Sequence, residues 1–212
     1  MRRPIRARET RWAAWVSAWL ARVGVRPNAI SIASAVFAGG AGLCLALTSG
    51  TADSIRGWLF LVAAFLIQVR LLCNLFDGMV AVEGGYKTKS GEIYNELPDR
   101  FADVFILVGA GYAWVRVDWG PLAGWLCALL AILVAYVRAL GASAGASQHF
   151  CGPMAKQQRM AVMTFASCGS ALLSWCHVHW PLVAAGLVVV GAGSVITIFR
   201  RVVRIVRELE RR

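Results

Sequence analysis

Residues 70–103, RLLCNLFDGMVAVEGGYKTKSGEIYNELPDRFAD, begin inside one apolar run and end inside the next. Ionisable side chains at membrane depth are costly, and where they occur they mark function. Arg70, Asn74 and Asp77 are spaced four and three apart and line one face of a helix; Asn95, Asp99 and Asp103, each four apart, line one face of the helix that follows. Antiparallel packing of the two helices across the polar hairpin at 83–98 is expected to bring the two stripes together. Oxygen donors from neighbouring helices suit a hard divalent cation, Mg²⁺ or Mn²⁺, of the kind that holds a diphosphate. Gly78 and Gly91 are expected to let a helix or a ligand come close.

The composition agrees with a membrane setting. The chain has 212 residues, 58% of them hydrophobic, and a mean hydropathy of +0.62, which reads as a single integral membrane domain rather than a soluble one. The net charge of +11 is grouped at the chain ends and beside apolar runs, without a soluble basic domain to carry it. This argues for anionic lipid headgroups as partners and against nucleic acid. Cys44, Cys73, Cys127, Cys151, Cys168 and Cys176 are scattered without a CxxC pair and read as reduced packing residues.

The expected fold class is all-α integral membrane, with six transmembrane helices preceded by an N-terminal amphipathic helix. Residues 1–26 form the juxtamembrane segment, where Trp12, Trp15 and Trp19 recur at helical spacing. That segment reads as a helix lying in the membrane interface or as one docked on the bundle. Residues 27–212 form the membrane domain, with spans expected at about 28–48, 57–82, 99–114, 121–142, 160–175 and 181–199. Basic residues at the N-terminus, at Lys87, Lys89 and Arg100, at Lys156 and Arg159, and in the tail FRRVVRIVRELERR fall on one side. Both termini and the polar hairpin are therefore expected to be cytoplasmic, and the absence of organelle targeting features favours a bacterial inner membrane.

The same residues resemble the signature of the CDP-alcohol phosphatidyltransferase family, D-x2-D-G-x2-A-R-x8-G-x3-D-x3-D. Asn74, Asp77, Gly78, Ala81, Val82, Gly91, Asn95 and Asp99 keep every spacing, with Asn at two of the Asp positions and Val82 at the Arg position. The entry Pro27-Asn28 and the segment GPMAKQQR, which carries Lys156 and Arg159, are similar to further family features. The resemblance implies transfer of a phosphatidyl group from a CDP-linked lipid, CDP-diacylglycerol above all, to an alcohol acceptor with release of CMP, in phospholipid synthesis. It implies Asp99 as the general base and Asp77, with Asn74 and Asn95, around Mg²⁺ or Mn²⁺; helical spacing places Asp103, one turn beyond Asp99, where it could join them. Gly78, Ala81 and Gly91 would frame the donor nucleotide, and Arg70, Arg138, Lys156 and Arg159 would bind phosphate. A homodimer is implied by the resemblance alone.

Blander readings apply to single residues. Asp77 alone could reach the interface, and Asp99 alone could serve the positive end of its helix. His177 and His179, two apart, do not share a helical face and read as interfacial. The rival functions are a catalytically impaired family member that binds nucleotide or lipid, and a small transporter.

Overall fold

The computed structural model describes residues 10–85, 91–114 and 118–211, with Glu92 described by its backbone alone. Lys87, Lys89 and the first nine residues, which enter the orientation argument, lie outside the described residues. Among those described the chain is all helical: α1 (Arg11–Arg22), α2 (Pro27–Leu47), α3 (Asp53–Glu83), α4 (Gly91–Tyr112), α5 (Trp119–Ser143), α6 (Lys156–Trp175) and α7 (Leu182–Leu209), with a 3-10 turn at Thr48–Gly50.

The six long helices close into a ring in the order α2, α3, α6, α7, α5, α4, each packed on its two neighbours. This corrects one expectation. The chain-adjacent pair α3 and α4 touch little, because α2 lies between them and packs extensively on both. The reason is in the residues of α2, whose buried face between Ile30 and Leu45 is Ser31, Ser34, Ala38, Ala41 and Gly42. So small a face lets two helices approach at once. At the α2–α4 crossing a Cβ on Gly109 would lie 2.2 Å from the Gly42 carbonyl oxygen, so the two backbones are in contact.

Two boundaries move furthest. α4 starts at Gly91, a full two turns before Asp99, and runs through Pro98, so much of the 83–98 hairpin is helical. α7 continues past Phe199 to Leu209, because Arg201 and Ile205 stay on its buried face and the basic tail is amphipathic.

Among the described residues four helices, α2, α3, α5 and α7, are long and apolar enough to cross a membrane. α4 and α6 are the two that carry Asp99 with Asp103 and Lys156 with Arg159, charges that dilute their apolar character. The outer surface is apolar, with Val36, Leu43, Phe65, Leu129, Phe165, Val188 and Phe199 exposed. α1 docks on α3 through Ala13, which packs with Leu75 and Met79, and through a Trp12–Phe76 edge contact of 5.9 Å. Its Trp12, Trp15 and Trp19 remain exposed.

Gly109→Ala is expected to force α2 and α4 apart and to cost about 1–3 kcal/mol, as overpacking of a filled interior does. Gly50, with nothing within 4 Å of a built Cβ, is the control: Gly50→Ala should stay within about 0.5 kcal/mol. Thermal unfolding of the two detergent-solubilised variants reads the difference.

Candidate active site

The ring brings the polar stripes of α3 and α4 to the N-terminal ends of α2 and α6, at one end of the bundle. Asp103 is at the bottom, 0% exposed, on α4. Arg70 Nη2 from α3 donates to its Oδ1 at 3.0 Å, and Arg159 Nη2 from α6 donates to its Oδ2 at 2.6 Å. Both arginines are enclosed, at 0% and 1% exposed. Arg159 Nη1 also donates to the Met154 carbonyl at 3.1 Å. One carboxylate thus joins three helices.

Asp99 lies one turn nearer the bundle end. Its Oδ1 accepts from Asn74 Nδ2 at 2.9 Å and from Arg70 Nη2 at 3.4 Å, and its Oδ2 accepts from Lys156 Nζ. Lys156 Nζ donates as well to Asn74 Oδ1, at 2.5 Å. The ammonium therefore sits between the side chains of α3 and α4, on the first residue of α6. Asp77 is buried, and its Oδ2 accepts from Ser31 Oγ of α2 at 2.7 Å. Its Oδ1 has no hydrogen-bond partner among the described residues. Lys156 and Asp99 are both within electrostatic reach of it.

A second set of contacts forms the rim. Glu96 Oε1 accepts from Arg138 Nη2 of α5 at 2.7 Å, and Arg138 lies 5.4 Å from the Phe150 ring centroid. Gly78, Ala81 and Gly91 are half-buried along α3 and at the start of α4, whereas Asn95 is exposed. The connection before α6 is pinned from α7: Met154 N–H donates to Thr197 Oγ1 at 3.0 Å and Arg201 Nε donates to the Cys151 carbonyl at 3.1 Å. Gly152 makes that path possible with φ +114°. Ser31, Thr197 and Arg201 are the supporting residues that sequence spacing did not single out.

The residues were tested against a divalent cation. Mg²⁺ or Mn²⁺ takes about six oxygen ligands, with carboxylates supplying the charge. Here both oxygens of Asp103 are held by arginines, and Asn74 Oδ1 and Asp99 Oδ2 are held by Lys156. Only Asp77 Oδ1 of this set is without a partner among the described residues, and no group of three His, Cys, Asp or Glu there is arranged to hold a metal. Asp103 is matched by Arg70 and Arg159 and Asp99 by Lys156, while Asp77 is bonded by Ser31. The donor set as it stands does not fit a divalent ion.

Asp103→Asn is expected to leave two enclosed guanidiniums without a countercharge and to cost about 3–5 kcal/mol. Glu96→Gln, at a side chain 46% exposed, should cost about 1 kcal/mol or less. Chemical denaturation in detergent checks the ranking.

No protein-family model matches this sequence. Its fold matches that of phosphatidylinositol phosphate synthase PgsA1 of Mycobacterium tuberculosis. With the structure solved with CDP-DAG bound, the TM-score is 0.76 at 19% identity, covering 92% of this chain and 94% of that one. With the manganese and citrate complex the TM-score is 0.71 at 21% identity, covering 91% and 88%. An uncharacterized protein of Aquifex aeolicus (strain VF5) is 30% identical over 152 residues, which is 71% of this chain and 71% of that protein. The chain has the PgsA1 fold and belongs to the same family as that Aquifex aeolicus protein.

Proposed function

We propose that the protein is a CDP-alcohol phosphatidyltransferase that moves a phosphatidyl group from a CDP-linked lipid, CDP-diacylglycerol above all, to an alcohol and releases CMP. The observation that carries this reading is the gathering of Asp77, Asp99, Lys156 and Asn74 at one end of the bundle, in the spacing of the family signature. The CDP-DAG in the PgsA1 structure of the same fold supports the donor. A transporter is disfavoured, since the buried charges collect at one end and do not run through the bundle.

In this reading all six long helices cross a bacterial inner membrane, with the site and both termini cytoplasmic. The exposed tryptophans of α1 sit in the interface, and the basic tail of α7 meets anionic headgroups. The homodimer rests on family resemblance alone. Gly78, Ala81 and Gly91 frame the cytidine and diphosphate. Arg70 and Arg159 are committed to Asp103, so ligand phosphate falls to Lys156, 20% exposed at its side chain, and to Arg138 on the rim.

Asp99 takes the proton of the acceptor hydroxyl. The acceptor oxygen bonds to the phosphorus of the phosphatidyl group, the bond from that phosphorus to the bridging oxygen breaks, and CMP leaves with the electron pair. Mg²⁺ or Mn²⁺ belongs to the resemblance, and the manganese in a PgsA1 structure supports it. When bound, such an ion would neutralise the diphosphate, but the side chains here do not fit it and no step is assigned to it. One observation favours a second reading: Asp99 is held by Lys156, Asn74 and Arg70 together, as in a member that binds the nucleotide without turnover.

Purified protein in detergent, given CDP-diacylglycerol and a panel of alcohols, is expected to release CMP only when the right acceptor is present. Asp99→Asn should lower that rate by about 100-fold or more, the usual contribution of a positioned base. CDP binding without release for any acceptor would establish the second reading.

A further inference from the structure

We propose that Lys156 is the built-in cation of this site: its ammonium takes the place of a divalent ion between Asn74 and Asp99, and the protein binds a nucleoside diphosphate without metal. Three observations carry this. The first is position. Lys156 Nζ donates to Asn74 Oδ1 and to Asp99 Oδ2, so it lies between the donors of α3 and α4 that a shared ion would bridge. The second is charge. Asp99 and Asp103 pair with Arg70, Arg159 and Lys156, Asp77 is bonded by the neutral Ser31, and the stripe residue Asn74 brings an oxygen but no charge. A divalent ion entering this set would have to displace an ammonium and would leave excess positive charge in an enclosed place. The third is field. Lys156 opens α6, whose N-terminal end carries partial positive charge that adds to the ammonium's in favouring an anion such as a diphosphate.

Asn74 gains a reason in this arrangement. An amide presents Oδ1 to the ammonium and Nδ2 to Asp99 Oδ1 at the same time, a pairing that a carboxylate, which only accepts, cannot make. The Asn is thus fitted to a lysine partner. Lys156, on a flexible stem with three donors, retains a proton for a diphosphate oxygen while holding Asn74 and Asp99.

Taking CDP as the nucleotide rests on the transferase reading, but a metal titration does not. The wild-type protein in detergent is titrated with Mn²⁺ and followed by electron paramagnetic resonance. The double variant Asn74→Asp/Lys156→Ala is titrated alongside, with its elution profile and thermal transition checked first. The expected result is no stoichiometric Mn²⁺ site in the wild type and a new one in the double variant. In parallel, CDP binding by calorimetry is expected to be unchanged by EDTA. Lys156→Met should weaken it by about tenfold or more, the size of a lost charge-assisted hydrogen bond.

A stoichiometric Mn²⁺ site in the wild type, or CDP binding that disappears with EDTA, would overturn the proposal. If the double variant does not fold, the wild-type titration decides alone. If the wild type binds no CDP with or without Mn²⁺, the transferase reading fails, and the two Mn²⁺ titrations still decide whether Lys156 stands where an ion would.

Discussion

Asp103 is the constraint on which the rest of the site depends. A carboxylate with no exposure to solvent is tolerable only when its charge is compensated and its oxygens are bonded, and here each oxygen receives one guanidinium. Arg70 comes from α3 and Arg159 from α6, so satisfying one acidic side chain fixes the relative placement of three helices. Because Arg70 Nη2 also reaches Asp99, the deep ion pair and the shallower one share a donor. Displacing Asp103 would therefore move Asp99, and with it Lys156 and Asn74.

The helix that makes this network possible contributes few polar atoms to it. α2 separates α3 from α4 with a face of Ser, Ala and Gly, thin enough that side chains from the flanking helices meet beside it. Ser31 then adds a contact from α2 to the carboxylates, donating to Asp77. On the far side of the ring, Thr197 and Arg201 of α7 hold the connection that delivers Lys156 to its place. The buried carboxylate network is thus assembled from α2, α3, α4 and α6 and steadied by α7, with Arg138 of α5 at the rim.

Much of this was legible in the sequence, and the reasons are specific. Helical spacing alone put Arg70, Asn74 and Asp77 on one face and Asp99 and Asp103 on one face, and apolar runs located all six long helices. Periodicity says nothing of which helix lies beside which, so the insertion of α2 between α3 and α4 could not be read. The polar residues before Asp99 set the expected span at about 99; the helix instead starts at Gly91 and continues through Pro98. The basic run after Phe199 hid the buried positions Arg201 and Ile205, because its charge outweighed its amphipathic period. Ser31 stands in the Pro27-Asn28 entry, yet no local signal says that it bonds a residue forty-six positions on. Lys156 was visible as a cation near the site, but its seat between Asn74 and Asp99 depends on the α3–α6 packing.

The most direct measurement is anomalous diffraction at the manganese edge from crystals grown with Mn²⁺ and CDP. The account predicts Arg70 and Arg159 closed on Asp103, Lys156 Nζ between Asn74 and Asp99 and facing the diphosphate, and no anomalous peak among these side chains. A manganese peak coordinated by Asn74, Asp77 and Asp99, with Lys156 swung away, would contradict it.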